Sequence, residues 1–154
     1  MTPAARVQAA IEVLDQVFAG VAAEKALTSW ARRSRYAGSG DRAAVRDHVF
    51  DALRRQRSCA AAGGSKTGRG VMLGALRLDG ENPDLLFCDT RHAPDPLSQE
   101  ERDAGALPQN RAEALDIPDW LWPEFSKSLG AMAEETAVAL KSRAPVHLRV
   151  NLIK

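Results

Sequence analysis

From Asp41 to Arg57, apolar side chains return at helical spacing and arginines fill the positions between them. A chain with that pattern folds by burying one flank of a helix. Val45, Val49, Leu53 and Gln56 make the repeating row, with Phe50 and Ala52 beside it. Arg42 and Arg46 stand four apart on the other side. Arg54, Arg55 and Arg57 crowd the last turn, where cations suit the negative end of the helix dipole. A guanidinium row opposite a buried flank suits a polyanion such as RNA.

The same period recurs on both sides of this stretch and predicts an all-α chain. Thr2-Pro3 is an N-cap with proline at the first helical position, and Val7, Ala10, Ile11, Leu14, Val17 and Phe18 follow at helical spacing up to Gly20. A second helix is expected from about Ala22 to Tyr36, with Ala23, Ala26, Leu27 and Trp30 inward and Arg32, Arg33 and Arg35 at its end. Gly38-Ser39-Gly40 breaks it, and Ser39 or Asp41 then caps the basic helix.

Gly63, Gly64, Gly68 and Gly70 mark a flexible connection before an apolar helix, Val71–Leu78. A short turn over Pro83–Phe87 and a loop from Cys88 to Pro96 follow. Ser98-Gln99-Glu100-Glu101 fits a capping box and predicts a short helix ending by Gly105. Ile117–Phe125 begins another helix despite Pro123, since a first turn tolerates proline. Gly130 ends it, and Met132–Arg143 forms the last helix with Ala133, Ala137 and Leu140 on one side. Helical phase places Trp30 and Trp120 in the core.

His147–Ile153 alternates and reads as a strand after Pro145. A lone strand leaves backbone groups unpaired, so it either pads a helix surface or begins a further domain. The second expectation is the favoured one. The expected organisation is therefore a helical domain over residues 1–143 and a linker or first strand over 144–154.

The 154 residues carry a net charge of only +1, but its distribution is uneven. Residues 1–70 hold 12 Lys and Arg against 6 Asp and Glu, and residues 71–154 hold 9 against 14. That asymmetry points to a polyanion-binding face near the N-terminus. No apolar run approaches the roughly 20 residues that cross a bilayer, and Met1–Arg6 lacks the pattern of a secretory signal. A cytoplasmic protein without membrane contact is expected.

Cys59 and Cys88 form no C-x-x-C pair, and His48, His92 and His147 are scattered, so neither a metal nor a disulfide is expected. The Gly63–Gly68 segment is not a P-loop, because Ser65 separates Gly64 from Lys66. It has the look of a cofactor turn that binds S-adenosylmethionine, but it follows a basic helix rather than a buried strand. No nucleophile with a base in reach stands out. Neither a catalytic residue nor a bound cofactor is expected in this chain.

Four pieces in order carry a family resemblance. They are the N-terminal helix with Arg6, D-R-x-x-V-R-D-x-V-F-x-x-L-R-R over Asp41–Arg55, P-x-W-L over Pro118–Leu121, and A-P-x-x-L-R-V-N over Ala144–Asn151. Together they resemble the Sun/RsmB family of S-adenosylmethionine-dependent ribosomal RNA cytosine-5 methyltransferases. The resemblance implies a NusB-like helical RNA-binding domain ahead of a covalently following catalytic domain that holds the cofactor and the catalytic cysteines. It implies ribosomal RNA as partner, Arg6, Arg32, Arg33, Arg35, Arg42, Arg46, Arg54, Arg55 and Arg57 as its contacts, and Arg149 and Asn151 in the interdomain region. Cys59 and Cys88 lack the neighbours of the family's catalytic cysteines, so this chain alone should be inactive. A free-standing NusB-like transcription antitermination factor would use the same arginines. A helical interaction module with no nucleic-acid role is the third alternative.

Overall fold

A computed structural model describes residues 1–151, and its secondary structure is all helical. The first helix, α1, spans Pro3–Phe18. Thr2 caps it by accepting the Ala5 N–H, and the proline sits where its missing N–H costs nothing. Val7, Ala10, Val13 and Leu14 project from α1 into the main core and are at most 1 % exposed. Around α1 pack α2 (Ala23–Arg33), α3 (Ser39–Arg54) and α5 (Gly68–Leu78), while α4 (Gln56–Gly63) lies along α5.

The second helix stops at Arg33, three residues before the expected end. Ser34 leaves helical geometry with ψ 62° and is itself buried, so Arg35 and Tyr36 lie in the connection. The basic helix begins at Ser39 with Gly38 as N-cap, and the Asp41 carboxylate reaches back to accept the Gly38 N–H. Gly40 is thus helical rather than a breaker. Val45, Val49 and Ala52 are buried as the period requires, whereas Gln56 is exposed. The expected single helix over Asp41–Arg57 is two, because Arg55 takes φ −118°, ψ 27° and ends the first.

The glycine segment is not a flexible connection. Gly63 closes α4, Gly68 and Gly70 belong to the first turn of α5, and only residues 64–67 link them. A Cβ on Gly74 would lie 1.8 Å from the Cys59 carbonyl oxygen, and one on Gly63 would lie 1.8 Å from that of Gly70. The two helices therefore lie backbone against backbone, which residues without side chains permit. Cys59, Val71, Met72 and Leu73 are sealed around the crossing.

A 3₁₀ turn at Pro83–Leu85 and the loop 88–96 lead to α6 (Gln99–Asp103), which opens with the expected Ser98/Glu101 capping box. Arg77 fastens this region to α4 by donating to the carbonyls of Ala62, Glu101 and Ala104. The short α7 (Arg111–Ala114), α8 (Trp122–Leu129) and α9 (Ala133–Leu140) enclose a second, smaller core of Leu115, Ile117 and Ala137, with Leu121, Trp122 and Phe125 packed on it. Pro123 sits in the first turn of α8 as expected.

Asp116 joins the two cores. Its carboxylate is 4 % exposed, accepts the Ser58 N–H and hydroxyl at 2.8 Å each, and pairs with Lys141 at 2.9 Å. Its φ of 58° is a conformation that aspartate tolerates better than most side chains.

Two core expectations fail at this end of the chain. Trp120 is 79 % exposed because it lies in the turn before α8, which begins at Trp122 rather than near Ile117 as expected, and Leu140, 58 % exposed, is the last residue of α9. Residues 144–151 are exposed and have no regular secondary structure, so the described part of the expected strand His147–Ile153 is not a strand. Leu152 and Ile153 lie outside the described residues.

Candidate nucleic-acid interface

A guanidinium is available to a phosphate in proportion to how little a carboxylate already holds it. Arg6 donates through Nε to Asp41 at 2.9 Å, and the amino terminus of Met1 reaches the same carboxylate at 3.2 Å. The Arg6 guanidinium, together with that amino group, holds the Asp41 carboxyl below its ordinary range. Arg46 pairs with its neighbour Asp47 at 3.1 Å, and Arg54 with Asp51 at 2.6 Å. Arg55 makes a bidentate pair with Asp79 at 2.7 and 3.0 Å. Arg57, across the helix break, pairs with Asp119 at 2.7 Å and donates to the Ile117 carbonyl.

The continuous guanidinium row expected from α3 is therefore interrupted. Asp79 and Asp119 come from the acidic half of the sequence and fold onto Arg55 and Arg57, so folding itself cancels part of the charge asymmetry. Arg69 from the basic half meets Glu101 in the same way, at 2.6 and 2.9 Å.

Arg32, Arg33, Arg35 and Arg42 are exposed and have no ion pair with any described carboxylate. By chain position they flank one corner, the end of α2, its connection and the start of α3. Two of them lie in the last turn of α2. Lys25, also exposed, adds a further cation on α2. Arg149 and Asn151 are exposed on the 144–151 segment, which has no regular secondary structure.

Beside this corner runs a groove of about 900 Å³. Ala5, Ala9 and Ile11 of α1 contribute apolar lining, Trp30 and Tyr36 contribute aromatic lining, and Glu12 and Asp95 contribute carboxylates. Tyr36 is 73 % exposed. The sequence offered a signal for it, since the only tyrosine in the chain directly follows Arg32-Arg33-Ser34-Arg35. Trp30 at 4 % exposure is core, as its helical phase indicates.

Cys59 is buried within the α4–α5 crossing, and burial pushes its thiol up to about 11, which leaves it protonated and unreactive. His48 is half-buried, and burial lowers its proton affinity. Among the described residues no three of His, Cys, Asp and Glu converge as a metal site requires. No helix among them is long and apolar enough to cross a membrane. No protein-family model, curated protein or solved structure matches this chain.

Proposed function

We propose that this chain is an RNA-binding helical domain that grips phosphates at the α2–α3 corner. Four exposed arginines without carboxylate partners among the described residues, gathered within eleven positions of sequence, carry the reading. Guanidinium groups match phosphate oxygens in bidentate geometry, and exposed ones give up little hydration or pairing on binding. The arginines already paired contribute less, because each must release a carboxylate first. Arg46 and Arg54 are the easiest of these to recruit, since their partners are exposed neighbours and such pairs are worth at most about 1 kcal/mol.

On the family resemblance, the RNA is ribosomal and the domain positions it for a covalently attached cytosine-5 methyltransferase domain, which would hold S-adenosylmethionine. Phosphate contacts orient a ligand without reading its sequence, so base choice would come from RNA shape and from the other domain.

Neutralising the corner tests the proposal. The double variant Arg33→Gln/Arg42→Gln should bind a ribosomal RNA fragment at least about tenfold more weakly, a loss of about 1.4 kcal/mol shared by two contacts. Arg55→Gln/Arg57→Gln removes the same charge from arginines that Asp79 and Asp119 hold, and should stay within about twofold of wild type. Equal affinity for wild type and the corner variant, with circular dichroism showing both folded, would defeat the proposal.

A further inference from the structure

We infer that the groove beside the arginine corner holds one unpaired base of the RNA, stacked on Tyr36, with the adjoining phosphates on Arg33, Arg35 and Arg42. The inference rests on the RNA-binding reading and adds to it the strandedness and base class of the ligand.

Exposing an aromatic ring forgoes burial, and Tyr36 stands outside both packed cores. It stands at the groove as the residue next to Arg35. A ring set beside cations is the arrangement by which proteins hold single-stranded nucleic acid, since every base has a face to stack and every phosphate a charge to neutralise.

The groove's own chemistry separates base from backbone. None of Arg32, Arg33, Arg35 and Arg42 lines it. Glu12, Asp15 and Asp95 on its lining outnumber the two cations there, Arg69 and the Met1 amino group, which Glu101 and Asp41 already hold, so the groove disfavours a phosphate and the backbone stays on the corner outside. Asp15 is already occupied by the Gly68 N–H at 2.7 Å. Glu12 accepts only an exposed Gln8 amide at 3.1 Å, and the Asp95 side chain has no hydrogen bond among the described residues. Both can accept from an exocyclic amino group, as carboxylates do from cytosine N4. A volume of about 900 Å³ admits a nucleobase with its ribose, and the apolar lining accepts the ring. A base locked in a duplex cannot enter. The ligand is therefore a single strand or loop with an amino-bearing base at this position.

The test uses fluorescence anisotropy of the whole chain with labelled oligocytidylate and oligouridylate of about 12 nucleotides and an RNA duplex of similar length. Oligocytidylate should bind at least about fivefold more tightly than oligouridylate or the duplex. Tyr36→Ala should weaken oligocytidylate binding about tenfold and leave the duplex unchanged, and Tyr36→Phe, which keeps the ring, should restore it. Glu12→Ala/Asp95→Ala should bring the two single strands within about twofold of each other. Duplex and single strands bound alike, with Tyr36→Ala equal to wild type, would overturn the groove assignment while leaving RNA binding intact. Failure of every RNA to bind would remove both readings together.

Discussion

Gly74→Ala sets two effects of opposite sign against each other in α5. In a solvent-facing helix, alanine in place of glycine stabilises by about 1 kcal/mol through backbone entropy. At Gly74 the new Cβ would stand 1.8 Å from the Cys59 carbonyl oxygen and 2.7 Å from the Gly63 nitrogen. A carbon-to-oxygen contact needs about 3.3 Å, so α4 and α5 must separate by about 1.5 Å. A gap of that size forfeits half or more of the dispersion contact across the crossing. With Cys59, Val71 and Met72 sealed against it, the loss comes to about 3 kcal/mol and outweighs the entropy gain. The expected net destabilisation of about 2 kcal/mol lowers the melting temperature by about 4–8 °C, read by circular dichroism. Gly40→Ala is the matched control, because a Cβ there meets nothing within 4 Å and the position is helical. It should stabilise by about 0.4–1 kcal/mol. If Gly74→Ala melts at or above the wild-type temperature, the backbone-to-backbone crossing is refuted.

Removing the Asp116 carboxylate takes the acceptor from the Ser58 N–H and the ion pair from Lys141, so Asp116→Ala should cost about 3 kcal/mol in urea unfolding. Asp116→Asn, which keeps the backbone fit and an acceptor, should cost clearly less; equal losses would refute the role given to the side chain. The Arg69 guanidinium beside Glu101 holds that carboxyl down at about 2. A depressed folded value means stability that is present above the unfolded value and lost as pH falls through the folded one. Glu101→Gln should therefore melt below wild type at neutral pH, with the two curves converging as pH approaches 2. A gap that persists unchanged at low pH would contradict the pairing.

The helices that sequence reading located share a local cause. Thr2-Pro3 caps α1 and Ser98/Glu101 boxes α6 through bonds within four residues, and such geometry is written in adjacent letters. The break at Arg55 is not, because the buried row of Val45, Val49 and Ala52 resumes at Cys59 and Gly63 on the far side of it. The glycines of α4 and α5 had the composition of a loop and the job of a close crossing, and only the partner helix distinguishes the two.

The candidate interface divides in the same way. Pairing of Arg54 with Asp51, three positions apart, was readable from their spacing, whereas that of Arg46 with its neighbour Asp47 was not, because adjacent residues of a helix do not face each other. Pairing of Arg6 with Asp41, Arg55 with Asp79 and Arg57 with Asp119 needed the fold, since the partners come from 24 to 62 residues away. Tyr36 gains its meaning from a groove that α1 and residues 92–95 complete. Trp120 shows the converse, a large apolar residue whose expected helical phase is lost because its segment is a turn ahead of α8.

The salt dependence of binding counts the phosphates that this surface neutralises. For a single-stranded RNA, the slope of log affinity against log salt concentration is about −0.7 per phosphate contact. The four unpaired arginines of the corner give an expected slope of about −3, and all nine arginines acting together would give about −6. A slope near −3 that falls to about −1.5 in Arg33→Gln/Arg42→Gln is the result this account requires. A flat dependence would contradict RNA binding at the corner, and a slope near −6 would contradict the division between paired and unpaired guanidinium groups.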